Sequence, residues 1–142
     1  MEAFIPPALQ EIIDEFRWAE GQEKVELLIQ YAENLPPLPE ALAGERAKMD
    51  MVQECMTPVF VQAEMKDGKM AFHFDVPTES PTVRGFAAFM KQGLDGSTPE
   101  EILHVPGDFF QEMGLQQVLS FQRLNGLGAM LAHMKRLAVN NV

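Results

Sequence analysis

The chain has 142 residues, with 11 Lys and Arg against 21 Asp and Glu, a formal net charge of −10. That length suits one domain spanning 1–142, and 46% apolar with 23% charged residues is the composition of a globular fold, which excludes wholesale disorder. The negative charge argues against nucleic acid and against an anionic membrane surface, because both are bound through clustered Lys and Arg. A partner with a basic face suits it better.

Leu9, Ile12, Ile13 and Phe16 follow the i, i+3, i+4, i+7 spacing of an amphipathic helix, which the Pro6-Pro7 pair starts. Gly21 punctuates, and Val25, Leu28, Ile29 and Ala32 predict a second helix that ends before Pro36-Pro37. The Pro-rich segment 34–44 reads as an extended linker inside the domain. Residues 49–54 are expected to add a short strand. Val59, Val61, Ala63 and Met65 then alternate with Phe60, Gln62, Glu64 and Lys66 up to Asp67-Gly68, and Met70, Phe72, Phe74 and Val76 alternate after it with Ala71, His73 and Asp75. Two period-2 runs about Asp-Gly predict a hairpin with a type I′ turn.

Helices resume at Ser80-Pro81, an N-cap and first-turn pair, followed by Val83, Phe86, Ala87 and Met90. Thr98 and Glu101 form a capping-box pattern. Asp108 is expected to cap a short helix that stops at Gly114. Leu127, Met130, Leu131, Met134 and Ala138 mark a closing helix with Lys135 and Arg136 in its final turn. The fold class is therefore α+β, a small antiparallel sheet with a central hairpin packed against N-terminal and C-terminal helices.

Phosphate-binding, dinucleotide, hydrolase and zinc-protease motifs are absent from the sequence. His73, His104 and His133 are scattered without ligand spacing, the methionines fall mostly on helix and strand core faces, and the acidic residues are spread out. Nothing here implies a metal or a cofactor. With Cys55 the only cysteine, no intrachain disulfide can form, and a Cys-rich zinc site or a four-thiolate cluster is excluded. No apolar run approaches the roughly 18 residues that span a bilayer. The start, Met-Glu-Ala-Phe-Ile-Pro-Pro, lacks the basic and apolar regions of a secretory signal, so the expectation is a cytoplasmic protein.

Cys55 is the residue with chemistry. A free cysteine is commonly a small buried hydrophobe. This one lies in an irregular stretch before the first clear strand, where functional residues concentrate. A thiolate there is able to attack a sulfur atom held by another protein.

The blocks Asn34-Leu35-Pro36-Pro37-Leu38, Val52 to Phe60 around Cys55, Thr82-Val83-Arg84-Gly85-Phe86 and Arg123-Leu124-Asn125-Gly126-Leu127, in that order, resemble the SufE/CsdE family over nearly the whole chain. The resemblance implies helices around a small curved antiparallel sheet. It also implies a persulfide-accepting cysteine in a loop at one end, the place Cys55 occupies. The partners it implies are a SufS-type, pyridoxal-phosphate-dependent cysteine desulfurase, whose turnover the acceptor raises, and an iron–sulfur scaffold that receives the sulfur. Arg123 matches a family arginine and would contact the partner or support the persulfide's negative charge. Arg84 and Glu79 match weaker family positions with supporting or partner-binding roles. The chain itself would be a sulfur carrier and desulfurase activator, as a monomer or homodimer.

The chain departs from the family pattern Gly-Cys-x-Ser-x-Val-Trp, reading Glu54-Cys55-Met56-Thr57-Pro58-Val59-Phe60. Thr57 keeps the hydroxyl and Phe60 the aromatic ring. Glu54 removes backbone freedom and places a carboxylate beside the thiol, which raises the thiol pKa, and Pro58 stiffens the entry to the strand. Two other classes stay open on the residues alone: a single-cysteine thiol redox protein, and an interaction module in which Cys55 is structural.

Overall fold

The computed structural model describes residues 3–55 and 57–142; Met1 and Glu2 of the expected start and Met56 of the cysteine block lie outside them. Helix α1 (Pro7–Trp18) has Pro in its first turn and buries Leu9, Ile12, Ile13 and Phe16, the expected stripe. Helix α2 (Gln22–Glu33) is turned from its expected face: Leu28 and Ala32 are buried, but Ile29 is 37% exposed and Lys24 only 3%. The Lys24 ammonium explains the difference. It donates to the carbonyls of Phe16 and Met113, so its charge is spread over two backbone acceptors while its aliphatic stem packs.

Three antiparallel strands follow in the order β1 (Asp50–Met51), β2 (Phe60–Lys66), β3 (Lys69–Asp75). The strand expected over residues 49–54 is thus only two residues long, paired Asp50 with Val61 and Met51 with Phe60. Asp67 and Gly68 have φ of +54° and +78°, the two positive values a type I′ turn requires, and Lys66 pairs with Lys69 beside it. Val59, Val61, Met70, Phe72, Phe74 and Val76 enter the core; Ala63 packs against it half-buried, and Met65 is 38% exposed.

The free edge of β3 is blocked. Met70 exchanges backbone bonds of 2.8 Å with Ser97 and Gly96, Asp95 Oδ1 accepts from the Phe72 amide at 2.8 Å, and Lys91 Nζ donates to the Phe72 carbonyl at 2.7 Å. No run of unpaired groups is left there to recruit another strand.

Helix α3 (Pro81–Leu94) packs against α1, α2 and β3. Pro81 occupies its first turn, but the Ser80 hydroxyl makes no capping bond. Gly85 explains the close contact with α2, since a Cβ there would lie 2.5 Å from the Leu28 carbonyl oxygen. Helix α4 (Pro99–Leu103) starts on the expected capping box, with Thr98 Oγ1 accepting from the Glu101 amide at 3.2 Å and Glu101 Oε1 from the Thr98 amide at 2.9 Å. Past it, Phe109–Gln111 is a single 3₁₀ turn without an Asp108 side-chain cap, and Gly114 then takes φ +75°. Helix α5 (Phe121–Val139) is capped by Ser120 and lies along α4 and β2. No helix among the described residues is long and apolar enough to cross a membrane.

Candidate functional site

Cys55 sits at the tip of a hairpin loop. The β1–β2 ladder forms its base, and the Val52 amide closes it by donating to the Val59 carbonyl at 2.8 Å. Inside the loop the Cys55 amide turns back to the Val52 carbonyl at 3.4 Å. This geometry lays the loop against α5, where Cys55 Sγ rests 3.8 Å from the Gly126 carbonyl oxygen. A Cβ on Gly126 would stand 3.4 Å from the sulfur, at the edge of ordinary contact.

The thiol is half-buried and lines a cleft of about 340 Å³. Thr57 shares the Cys55 wall. Glu79, Ser80, Thr82 and Val83 come from the entry to α3, and Gln122, Arg123 and Gly126 from the start of α5. Two helix N-termini therefore border the thiol, and their partial positive charge favours an anion between them. Arg123 adds a full charge and has no ion-pair partner among the described residues. The Thr57 hydroxyl oxygen, in the same cleft, is buried with no hydrogen-bond partner among the described residues.

The opposing effects are nearer to Cys55 itself. Burial, and after it the Glu54 carboxylate, push the thiol up to about 11. In this arrangement the sulfur is protonated at neutral pH. The expected direction of the Glu54 effect holds, but burial is the larger cause. Glu54 itself is held below the usual carboxylate range by a backbone hydrogen bond and by His133.

Three of the four residues singled out in the sequence, Cys55, Glu79 and Arg123, meet in the cleft. Arg84 does not line it. Its guanidinium donates to the Val76 carbonyl at 2.7 Å and braces the connection from β3 to α3, a local structural bond.

His133 escaped the sequence reading. It is 7% exposed on α5, with Nδ1 2.7 Å from Asp50 Oδ2 and Nε2 3.2 Å from Glu54 Oε1. Its one visible signal was its place beside the apolar stripe of Met130 and Met134. Its partners lie some eighty residues earlier in the chain, and only the fold brings them together. The other histidines are ordinary: His73 pairs with Glu64 across the hairpin at 3.0 Å, and His104 bonds the Glu100 carbonyl at 2.7 Å.

The SufE family model, described as an Fe-S metabolism associated domain, matches residues 10–138. The chain belongs to the SufE family. An uncharacterized SufE-like protein of Mycobacterium tuberculosis is 42% identical over 135 residues, covering 94% of this chain and 93% of the relative. One from Synechocystis is 33% identical over 138 residues, covering 96% and 84%. The solution structure of a hypothetical protein from Thermus thermophilus superposes with a TM-score of 0.86 at 33% identity, over 97% of this chain and 98% of that one. The α+β architecture of this SufE-family chain is thus shared, and its connection is to iron–sulfur metabolism.

Proposed function

We propose that this protein accepts sulfane sulfur on Cys55 from a cysteine desulfurase and relays it towards iron–sulfur cluster assembly, raising the desulfurase's turnover. The observation that carries the reading is the cleft itself, in which the chain's only cysteine faces Arg123 and two helix N-termini. In the transfer the Cys55 thiolate attacks the terminal sulfur of the donor's Cys–S–SH. The donor's S–S bond breaks, its thiolate leaves, and a new S–S bond forms on Cys55. The Cys55 proton goes to solvent or to the departing thiolate, and no outside oxidant is needed. The pyridoxal phosphate that cleaves the carbon–sulfur bond belongs to the desulfurase.

The persulfide formed is more acidic than the thiol it replaces, so an anionic sulfur comes to lie among these groups. Arg123 supports that charge and contacts the donor, Glu79 borders the same opening, and the Thr57 hydroxyl, without a partner among the described residues, donates to the added sulfur. Burial of the thiol, with its pKa near 11, fits a carrier that stays quiet until a donor docks. It speaks against a peroxide sensor, which needs a depressed thiol pKa.

Intact mass measurement after incubation with the cognate desulfurase and L-cysteine tests the reading. The wild type gains mass in whole sulfur atoms and Cys55→Ser gains none. A wild type that stays unloaded beside an active desulfurase overturns it.

A further inference from the structure

The loop that carries Cys55 is tied at both its base and its tip to one imidazole. Asp50 Oδ2, in β1 at the base, accepts from Arg136 Nη2 at 2.6 Å and lies 2.7 Å from His133 Nδ1, which faces the same Arg136 nitrogen at 2.6 Å. Glu54, at the tip, meets His133 Nε2 at 3.2 Å. An ionised carboxylate only accepts hydrogen bonds, so the proton of this second contact sits on Nε2 and His133 is the donor. The histidine is 7% exposed, whereas the Glu54 side chain is 58% exposed and is held by a backbone hydrogen bond and by His133. The residue before the thiol is thereby held against α5, the same helix whose Gly126 carbonyl faces the sulfur.

We propose that His133 is a positioning residue for Cys55, acting as a latch that holds the tip of the thiol loop against α5 through Glu54 and keeps the sulfur in its resting place. The role of the thiol rests on the sulfur-acceptor reading, but the latch itself does not. It gives Glu54, which stands where the family pattern has Gly, a structural task besides its charge.

Alkylation of native Cys55 by iodoacetamide reads the latch without any sulfur donor. Glu54→Gln removes the charge yet keeps an oxygen able to accept from His133 Nε2; Glu54→Ala removes both. The two share the same lost charge, so their difference isolates the tether. Glu54→Ala should alkylate roughly threefold to tenfold faster than Glu54→Gln, the ratio expected of one hydrogen bond of ordinary net strength. His133→Ala should speed alkylation of the wild type and add nothing further in the Glu54→Ala background, since one contact cannot be removed twice. Equal rates for Glu54→Ala and Glu54→Gln, or a full extra effect of His133→Ala on Glu54→Ala, overturn the latch. If His133→Ala does not fold, the exposed Glu54 pair decides alone. Sulfur loading measured on the same variants keeps the two ideas apart, because a latch effect on alkylation without any loading would sink the acceptor reading only.

Discussion

The reactivity of Cys55 is set by a contest among neighbours within a few ångströms. Burial and the Glu54 carboxylate both disfavour the thiolate, so the folded thiol titrates near 11. Alkylation of the native protein should therefore keep rising with pH through the range where an ordinary thiol has levelled off. Glu54→Gln should move the midpoint down, and protein unfolded in guanidinium should show the ordinary value. Linkage gives the same result from the stability side. A thiol that ionises more easily unfolded costs stability as pH rises past its unfolded pKa, so Cys55→Ala should lessen alkaline destabilisation. A pH–stability curve for the two proteins measures this, and identical curves would contradict the raised value.

The blocks around Cys55 and Arg123, with Glu79 just ahead of the block at 82–86, were legible in the sequence, and the fold brings these three residues to one cleft. The bond of Arg84 to the Val76 carbonyl was not legible, since nothing in a helical arginine reveals that a strand-end carbonyl awaits it. Arg123→Ala should slow sulfur loading at least several-fold while leaving the unfolding midpoint within ~1 °C, because the side chain pairs with no described carboxylate; Arg123→Lys should recover part of the rate.

Among the helices and strands, two glycines of similar appearance carry opposite consequences. Ala at Gly85 would place its Cβ 2.5 Å from the Leu28 carbonyl oxygen, a backbone atom that cannot step aside without moving α2. Despite a helix-propensity gain of about 1 kcal/mol, the strain of overpacking should leave Gly85→Ala destabilised by ~1–3 kcal/mol in a urea titration. Ala at Gly126 meets only the Cys55 sulfur, at 3.4 Å, on a loop that can give. That variant should stay within ~1 kcal/mol of the wild type and alkylate faster. The hairpin was readable from its turn because positive φ at two successive residues is a demand few sequences meet. The face of α2 was misread for a physical reason: Lys24 looks like a solvent-facing residue until carbonyls from Phe16 and Met113 converge on it.

Lys24 matters at the scale of the whole molecule, because it joins the end of α1, the start of α2 and the segment leading to α5. Lys24→Met keeps the stem and removes the donor, leaving two carbonyls short of a partner; it should cost roughly 1–3 kcal/mol in thermal or denaturant unfolding without changing sulfur loading. The hydrophobic pattern placed most core residues correctly because burial is local to each stripe. The pairings of Lys24 and His133 lay beyond it, since each joins segments that are distant in sequence.

Arg123, Gly126, Met130 and His133 succeed one another at spacings of three, four and three along α5, so the cleft wall and the loop's anchor share one side of a single rod. That makes the angular phase of α5 a hidden parameter of the site. One residue inserted between Gly126 and His133 would turn everything beyond it by about 100° and advance it by about 1.5 Å. The wall at Arg123 and Gly126 would keep its place while the imidazole swung off Glu54. Inserting a heptad, which nearly restores the phase, would still carry the imidazole two turns too far. The distance from wall to anchor is therefore fixed in integer residues, and a helix can satisfy it in only one way.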